Sequence, residues 1–368
     1  MPTLVAYISG HGFGHASRTI ELLRALAARE PSLRLIVRSM VAPWLLERTA
    51  PPGVIVERVA CDTGAVQVDS LHLDVDETVR QAEAFTAGIP SRIAAEVEAL
   101  RAHSATLVVA DIPALGVAAA HAANVPVAML GNFTWDWIYA AYPGGRAVAA
   151  AIGDIYASAG LALRLPLWGG FETCRRIVDL PFIARRSHRD PAEVRRAFGL
   201  PLEERIALVS FGGYGVEGLD VAALARLQGF RIVLTGTTRV GSRSLVALGP
   251  TGSLVPLDEP AMYDRGFRYE DIVRAVDVVV TKPGYGIIAE AIANQTALLY
   301  TSRGHFAEYD VLVGGMPRYV RSRFIGTDDL LAGRWQSHLE TLVASPPPPE
   351  QPRVDGAEVA AAVLLSMM

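Results

Sequence analysis

Lysine is almost absent from this sequence. One lysine, Lys282, stands among 34 lysine and arginine residues in a chain of 368. Arginine therefore supplies nearly all of the positive charge, whereas an ammonium group is a compact donor that can reach a phosphate oxygen where a planar guanidinium does not fit. Two interpretations stay open at this point. Either Lys282 serves to bind an anion, or a composition biased towards arginine left one lysine by chance.

Several features that would define a class of protein are also missing. The net charge of -4 and the lack of a basic cluster interleaved with aromatics argue against nucleic acid as a partner. Two cysteines, Cys61 and Cys174, are too few for a disulfide framework. We expect both to be small buried apolar residues, and we expect the protein to work in a reducing compartment. The sequence shows no basic signal-peptide start and no apolar run of about 18 residues. We therefore expect a cytoplasmic protein without a transmembrane segment.

Apolar residues, by contrast, make up 51% of the chain, which is ample for two buried cores. Short apolar runs that end in glycine or polar residues alternate with amphipathic segments, a pattern typical of parallel strands and helices. In the first half the pattern predicts strands at 4–8, 35–37, 54–56, 107–110 and 127–130, with helices at 16–29 and 114–123. In the second half it predicts strands starting at 205 and covering 231–235, 253–255, 276–280 and 297–300, with a helix at 287–294.

The sequence therefore predicts an α/β protein built from two Rossmann-like, doubly wound parallel sheets. We expect residues 1–180 to form the first domain and residues 190–345 the second. Residues 135–171 look less regular, and the charged segment 175–189 is typical of a linker. After a run of prolines, residues 355–368 are predicted to form a last helix, with Asp355 at its N-cap, that packs on the first domain.

The loop Ser9–Arg18 is the first candidate for chemistry, because open parallel sheets bind ligands at the carboxyl ends of their strands. Its three glycines let the backbone approach a ligand. His15 lies where the loop enters the helix, and an imidazole, which titrates near neutral pH, is a candidate general base there. Alternatively, His15 only caps the helix. His11 and His15 have no evident third partner, so we expect no metal site.

Asp111 ends the predicted strand LVVAD, at the same edge of the first sheet. A carboxylate at the tip of a strand can hold a nearby histidine in one tautomer and stabilise its protonated form. Alternatively, Asp111 caps the helix that follows Pro113. Both interpretations stay open.

Two glycine loops in the second half can bind phosphate. In SFGGYG, Ser210–Gly215, successive amides can cradle an anion, although a tight turn would use the same glycines. In TKPGYG, a helix begins near Gly284 and Gly286 and favours an anion beside Lys282. Glu290, further along that helix, either binds a ribose diol or is a solvated acid. The motifs GxxxxGKS, GxxxxGKT and GxGxxG are missing where they would be needed, which counts against kinases and dehydrogenases.

These motifs, in this order, resemble those of GT-B glycosyltransferases, and more closely those of the N-terminal glycosyltransferase-like half of plant-type L-arabinokinases. The resemblance covers essentially the whole chain. It rests on GHGFGHASR (10–18), CDTGAVQVDSL (61–71), GNFTWDWIYA (131–140), RLP (164–166), VDLPFIARRSH (178–188) and KPGYGIIAEA (282–291). The kinase half of arabinokinases has no counterpart in this sequence, so the resemblance does not imply kinase activity. It implies the GT-B fold, in which two Rossmann-like domains face each other across a cleft.

The resemblance also implies that the second domain binds a nucleotide diphosphate sugar, with a UDP-sugar as the first expectation. Glu290 would bind the ribose, Glu308 the hydroxyls of the sugar, and Arg185 or Arg186 the diphosphate. The residues implied near phosphate are Gly213, Tyr214, Lys282, Gly284, Tyr285 and Gly286.

For catalysis, the resemblance implies an inverting transfer in which His15 is the base and Asp111 supports it, without a cofactor. The acceptor site is less well defined. Residues predicted to contact the acceptor are His11, Phe13, Asn132, Trp135 and Asp136, to which Trp137 and the acidic stretch 62–76 can be added. Tryptophan rings suit sugars, but they also fill cores.

Two other functions stay open. A nucleotide-sugar epimerase shares the two-sheet architecture, although such enzymes normally need acidic residues around the anomeric carbon, where the first loop supplies histidines. A non-catalytic module that only binds nucleotide sugars is the second alternative. The acceptor, the donor sugar and the oligomeric state do not follow from the sequence.

Overall fold

The computed structural model describes residues 1–212, 216–235, 239–240, 243–244 and 253–368. The chain forms two compact units. Unit 1 consists of Met1–Val66, Leu73–Ala184 and Arg353–Met368, and unit 2 consists of Gln67–His72 and Arg185–Pro352. The short segment Gln67–His72, called the 67–72 segment below, thus belongs to unit 2 although both of its sequence neighbours belong to unit 1. The division expected from the sequence, at 1–180 and 190–345, does not include this exchange.

Unit 1 contains a seven-stranded parallel sheet with the strand order β3-β2-β1-β4-β5-β6-β7. Its central strands are apolar runs buried along their whole length, as expected for strands covered on both faces. The strands are β1 Thr3–Ile8, β2 Arg34–Ser39, β3 Ile55–Arg58, β4 Leu107–Asp111, β5 Val127–Phe133, β6 Leu161–Gly169 and β7 Ile177–Asp179.

The helices of unit 1 connect these strands and cover the sheet. They are α1 Gly14–Arg29, α2 Pro43–Thr49, α3 Val75–Ala102, α4 Ala114–Ala123, α5 Trp135–Ala140, α6 Arg146–Tyr156 and, from the end of the chain, α15 Gly356–Leu365. Helix α15 packs against α1, and Ala360, Ala361 and Leu364 are part of the core of unit 1. Asp355 occupies the N-cap position of α15, but its carboxylate bonds to Arg353 instead of capping the helix.

Unit 2 contains a six-stranded parallel sheet with the order β12-β9-β8-β13-β14-β15. Its strands are β8 Arg205–Val209, β9 Phe230–Thr235, β12 Leu254–Leu257, β13 Val278–Thr281, β14 Ala297–Tyr300 and β15 Ser322–Phe324, and β10 Arg239–Val240 pairs separately with β11 Arg243–Ser244. Its helices are α7 Pro191–Ala197, α8 Val221–Leu224, α9 Glu259–Asp264, α10 Tyr269–Ala275, α11 Tyr285–Asn294, α12 Tyr309–Gly315, α13 Thr327–Leu331 and α14 Gln336–Ala344, with a 3-10 turn at Met316–Arg318. Two parallel-sheet α/β units confirm the predicted fold class.

Two stretches differ from the sequence prediction. Residues 135–171, which look irregular in sequence, form α5, α6 and β6, and the expected linker contains the edge strand β7. The prediction also contains no counterpart of α3, which includes Pro90 in its interior. The start of α3 has a clear physical cause, because Asp74 caps it by accepting a hydrogen bond from the backbone N–H of Glu77.

Within the described residues, no helix is both long and apolar enough to cross a membrane.

Candidate functional site

Asp111 is the centre of a buried hydrogen-bond cluster at the carboxyl edge of the unit 1 sheet. Its side chain is fully buried and accepts hydrogen bonds from three residues of α1. His15 Nδ1 lies 2.7 Å from Oδ1, while Arg18 Nε and Thr19 Oγ1 lie 2.7 and 2.6 Å from Oδ2. Burial alone would raise the pKa of Asp111, but the charges and hydrogen bonds of Arg18 and His15 lower it to about 2. The carboxylate is therefore ionised at neutral pH.

The ionised carboxylate selects one tautomer of His15. Because Asp111 can only accept hydrogen bonds, the imidazole proton lies on Nδ1 and the lone pair on Nε2. Arg18 Nη2 also lies 2.8 Å from Nδ1, but two donors cannot bond to each other, and both groups point at Oδ1 of Asp111. In the part of the chain that the structure describes, all hydrogen bonds of His15 involve Nδ1. Nε2 is therefore the atom that can accept a proton.

The two capping alternatives are wrong. Helix α1 has Phe13 at its N-cap, and α4 has Pro113, and neither helix start receives a hydrogen bond from a capping side chain. His15 and Asp111 instead bond to each other across the edge of the sheet, where β1 and β4 are neighbours. Their proximity was expected because both were predicted at the carboxyl ends of strands of the first sheet, while their catalytic role stays a prediction.

Arg18 is a member of the cluster that the sequence analysis missed. It is buried on α1, and its Nη1 donates to Asn132 Oδ1 at 2.7 Å. Asn132 Nδ2 donates in turn to the carbonyl of Pro166 at 2.7 Å. Asn132, predicted to contact the acceptor, thus uses both ends of its amide to hold Arg18 in place. The available signal was the spacing of Arg18 three residues after His15, which puts both side chains on one face of the helix.

A second carboxylate, Asp62, lies beside the cluster. Its Oδ1 accepts from Ser9 Oγ at 3.0 Å, and its Oδ2 accepts from Trp135 Nε1 at 2.9 Å. The ring centroid of Trp135 lies 6.2 Å from that of His15. Burial raises the pKa of Asp62 against the opposing charge of His15 and these hydrogen bonds. The structure therefore places one acid of the predicted acidic stretch close to His15.

Asp62 and Trp135 line a pocket of unit 1. Its cavity volume is about 20 Å³, which is room for about one water molecule, and the value rises to about 270 Å³ only when the open mouth is counted. The remaining wall is largely apolar and includes Phe85 and Ile89 of α3 and Tyr139 of α5, whose ring stacks on Trp135 at 5.4 Å. The interior is therefore too small for a sugar ring, and what the pocket offers a ligand is a carboxylate with aromatic side chains beside it.

The three other residues predicted to contact the acceptor lie in three different surroundings. His11 is close to this pocket, because its ring meets Trp135 edge-on at 6.2 Å and its Nδ1 accepts from the backbone N–H of Ala65 at 3.4 Å. Phe13 packs edge-on against Trp44 at 5.6 Å. Asp136 accepts from the backbone of the next residue at 2.9 Å and from Thr173 Oγ1 at 3.2 Å, so its carboxylate is already bonded within unit 1.

In unit 2, three loops follow three neighbouring strands of the sheet. Ser210 follows β8, Lys282 follows β13, and the loop 301–308 follows β14. Parallel strands bring these loops to one edge, where ligands of such sheets bind. Gly213 and Tyr214, predicted to bind phosphate after β8, lie outside the described residues. Ser210 is described, and its hydroxyl oxygen accepts from Tyr269 OH at 2.7 Å.

Lys282 is half-buried rather than extended into solvent. Its Nζ lies 3.4 Å from Gln67 Oε1 of the 67–72 segment. Burial and the nearby Arg303 lower the pKa of Lys282 to about 7, against the opposing charges of Glu308 and Asp69. Gln67 is the second residue that the sequence analysis missed, and its separation of 215 positions from Lys282 left no local signal.

Helix α11 begins directly beyond Lys282. Gly284 is its N-cap, with Tyr285 and Gly286 in its first turn. A Cβ added to Gly284 would meet no atom within 4 Å, so the approach to this helix start is open within unit 2. The first turn contains no acidic residue. The free N–H groups and the helix dipole favour an anion at this position.

Arg185 and Glu290, predicted to bind the diphosphate and the ribose, form an ion pair with each other. Arg185 Nε lies 2.6 Å from Glu290 Oε1, and Nη2 contacts the same oxygen. Glu290 is only 4% exposed, so its interpretation as a solvated acid is wrong. Burial would lower the pKa of Arg185, but Glu290 and Glu270 raise it. Arg186, the alternative to Arg185, is exposed.

Glu308 also has a cationic partner. It lies just before α12, and its Oε1 accepts from Arg303 Nη1 at 2.7 Å. The guanidinium of Arg303 stacks over Phe306 at 3.7 Å. In the residues that the structure describes, no three His, Cys, Asp or Glu side chains are grouped to hold a metal ion.

Comparison with known proteins finds a curated relative by sequence and many solved structures with a similar fold. No protein-family model matches the chain. The L-arabinokinase of Arabidopsis thaliana is 28% identical over 365 residues, which are 97% of this chain and 34% of that protein. The chain therefore spans about a third of the length of the curated relative that it matches. This similarity agrees with the resemblance described above.

Solved glycosyltransferases share the fold. The glycotransferase of kitacinnamycin has a TM-score of 0.67 at 18% identity, over 100% of this chain and 99% of that one. UGT2 of Phytolacca americana, complexed with UDP-2-fluoro-glucose and pterostilbene, has a TM-score of 0.62 at 13% identity, over 100% and 94%. The chain thus has the fold of GT-B glycosyltransferases, as the sequence motifs predict.

Proposed function

We propose that this protein is a glycosyltransferase that moves a sugar from a UDP-sugar to an acceptor hydroxyl, with inversion at the anomeric carbon. The observation that carries the proposal is the 2.7 Å contact between His15 Nδ1 and Asp111, because it leaves Nε2 able to accept a proton. A base of this kind is what attack by a sugar or alcohol hydroxyl requires.

In the proposed reaction, His15 Nε2 accepts the proton of the acceptor hydroxyl while the acceptor oxygen attacks the anomeric carbon. The new C–O bond forms on one face of the sugar, and the bond to the diphosphate oxygen breaks on the opposite face. The electron pair of that bond leaves with the diphosphate. Asp111 stabilises the imidazolium that forms, and as an ionised carboxylate it needs to take no proton itself.

We assign the donor to the three loops of unit 2. Lys282 and the start of α11 would stabilise the negative charge that develops on the diphosphate, together with Gly213 and Tyr214. Glu290 would bind the ribose, Glu308 the sugar hydroxyls, and Arg185 the diphosphate. The position of the loops at one sheet edge supports this assignment, as does the fold shared with UGT2, which was solved with UDP-2-fluoro-glucose.

We assign the acceptor to the pocket lined by Asp62 and Trp135. At the mouth of this pocket, the partly exposed Asp62 would accept a hydrogen bond from a second hydroxyl of the acceptor, and the neighbouring aromatic side chains would contact one face of its ring. His11 adds a polar group at the same place. The complex of UGT2 with pterostilbene as well as UDP-2-fluoro-glucose supports a second ligand beside the nucleotide sugar.

Incubation of the full chain with a panel of nucleotide sugars and hydroxyl acceptors tests the proposal. We expect release of UDP only when an acceptor is present, and a product with the anomeric configuration opposite to that of the donor. His15→Gln, which has no base, serves as the inactive control. Isomerisation of the donor without an acceptor would support an epimerase instead. Donor binding without release of UDP for any acceptor would support a binding module.

A further inference from the structure

The 67–72 segment contacts all three loops that we assign to the donor. Ser70 Oγ donates to the carbonyl of Phe211, after β8, at 2.8 Å. Gln67 Oε1 lies 3.4 Å from Lys282 Nζ, after β13. The carbonyl oxygen of Leu71 lies 3.0 Å from the point where a Cβ on Gly304, after β14, would be. The segment therefore crosses the carboxyl edge of the unit 2 sheet.

The segment is held in one conformation by its own bonds and by its packing. Asp69 accepts from the backbone N–H groups of Leu71 and His72 at 2.6 and 2.9 Å, and the N–H of Val68 donates to the carbonyl of His72 at 3.0 Å. Leu71 is buried in the core of unit 2. Val68 is instead 71% exposed at the tip. A turn fixed in this way can place the amide of Gln67 with little loss of entropy when a ligand binds.

Lys282 is poorly neutralised where it meets this segment. In the described part of the chain it forms no ion pair, and its hydrogen bond goes to the neutral amide of Gln67. Of the charged groups that face it, Glu308 is paired with Arg303, and Asp69 is bonded within the turn. An ammonium group has three protons to donate, so one amide oxygen leaves it able to bind an anion.

We propose that the 67–72 segment is part of the donor site and that Gln67 is a positioning residue, which holds the Lys282 ammonium at the glycine turn for the diphosphate. The identity of the ligand in this inference rests on the proposed function. An uncharged partner suits the task, because it orients the ammonium without competing with phosphate for the positive charge. A carboxylate at the same position would neutralise the ammonium before the donor arrives.

Two variants whose side chains are about as long as glutamine separate the effect of a negative charge at position 67 from the effect of losing the hydrogen-bond acceptor. Gln67→Glu puts a carboxylate beside Lys282, which favours the charged amine, so we expect its titration midpoint to rise and the affinity for UDP-glucose to fall about tenfold. Gln67→Met removes the acceptor, so we expect the midpoint to fall, with about threefold weaker binding at pH 8 and little change at pH 6. Gln351→Glu, which makes the same change at an exposed position of unit 2, is the matched control and leaves both properties unchanged.

The experiment uses the full chain labelled with ¹³C-lysine. Because the sequence contains one lysine, the side-chain spectrum shows a single lysine signal whose shift reports the titration of Lys282 directly. The titration is followed without ligand, and calorimetry then measures the binding of UDP-glucose at pH 6 and pH 8. Thermal unfolding of each variant shows whether it is folded.

Opposite shifts of the midpoint, together with the weaker binding by Gln67→Glu, support the inference. Midpoints equal to that of the wild type in both variants overturn it, as does unchanged binding of UDP-glucose by a folded Gln67→Glu. A wild type that binds neither UDP-glucose nor UDP overturns the proposed function and the donor role of the segment with it. This outcome can be distinguished from a failure of the Gln67 contact itself, because the titration midpoints of Lys282 are measured in the protein without ligand.

Discussion

The charged groups of the two units are neutralised in different ways. In unit 1, the carboxylate of Asp111 bonds to Arg18, His15 and Thr19, and the cluster is complete without a ligand. In unit 2, Lys282 has only the amide of Gln67 as its hydrogen-bond partner among the described residues. The pKa of Asp111 is lowered to about 2, so the carboxylate is ionised at neutral pH. The pKa of Lys282 is lowered to about 7, so part of the amine is unprotonated at neutral pH.

This difference indicates that the general base is positioned before substrates bind, whereas the charge of the donor site is balanced only when the donor binds. A general base has to be in position before the acceptor arrives, so the surrounding ion pair is built into the fold. A cation that binds an anionic donor needs no carboxylate partner in the free protein, because the donor supplies the opposite charge when it binds. The predictions below separate the two units by asking which variants impair transfer and which impair donor binding.

The largest effect is expected from His15→Gln. Loss of the base lowers the rate of transfer about 10³-fold, because no other group in the cluster can take the proton. Affinity for UDP-glucose, measured by calorimetry, stays unchanged, since the donor loops lie in unit 2. His121→Gln, which makes the same change at an exposed position of α4, is the control and retains activity within about threefold. Equal losses in both variants would contradict the assignment of His15.

Asp111→Asn is expected to affect both transfer and stability. Without the carboxylate, His15 loses the partner that selects its tautomer, and the rate falls about 10²-fold. Arg18 is left as an uncompensated buried charge, which lowers the free energy of unfolding by about 3 kcal/mol. Urea unfolding and initial rates check the two expectations. A variant that is slow but as stable as the wild type would show that Arg18 finds another partner.

Lys282→Met is expected to impair donor binding and leave the His15 cluster intact. Loss of a charge-assisted contact to phosphate weakens UDP-glucose binding about 30-fold. In the wild type, binding weakens as the pH rises above about 7, because the free amine loses its proton and the diphosphate has to restore it. Calorimetry between pH 6 and pH 9 checks this slope. The slope persisting in Lys282→Met would assign it to another group.

The smallest effect concerns stability. The pKa of Lys282 is lower in the folded protein than the ordinary value of about 10.4 in an unfolded chain, so between pH 7 and pH 10 the unfolded state binds more protons. Stability therefore rises with pH across this window and is lost as the pH falls through about 7. We expect the difference in unfolding free energy between wild type and Lys282→Met to change by about 2 kcal/mol between pH 7 and pH 9. No change would mean an ordinary lysine.

The parts of the molecule that the sequence predicts well are those with local patterns. Buried parallel strands are apolar runs, and helices such as α4 and strands such as β14 have the predicted bounds. Asp111 and His15 could be placed near each other because each follows from the position of a strand end. The chemistry of the pair, as opposed to its geometry, still awaits the rate measurements.

The parts that the sequence could not predict depend on tertiary contacts. The strand β7 is a short edge strand in a charged segment, which has the composition of a linker. Arg18 looks like an ordinary helical cation until Asp111 is placed against it. The 67–72 segment joins a unit to which neither of its sequence neighbours belongs, and the packing of Leu71 decides that assignment.

The surroundings of Lys282 have a chemical consequence beyond binding. An amine whose pKa is about 7 is partly unprotonated at neutral pH, and the unprotonated form is a nucleophile. Among the lysine side chains, acylating reagents should therefore modify Lys282 alone, since the sequence contains no other lysine. Peptide mass analysis would then count the adduct on Lys282, and protection by UDP would report occupancy of the donor loops without any knowledge of the acceptor.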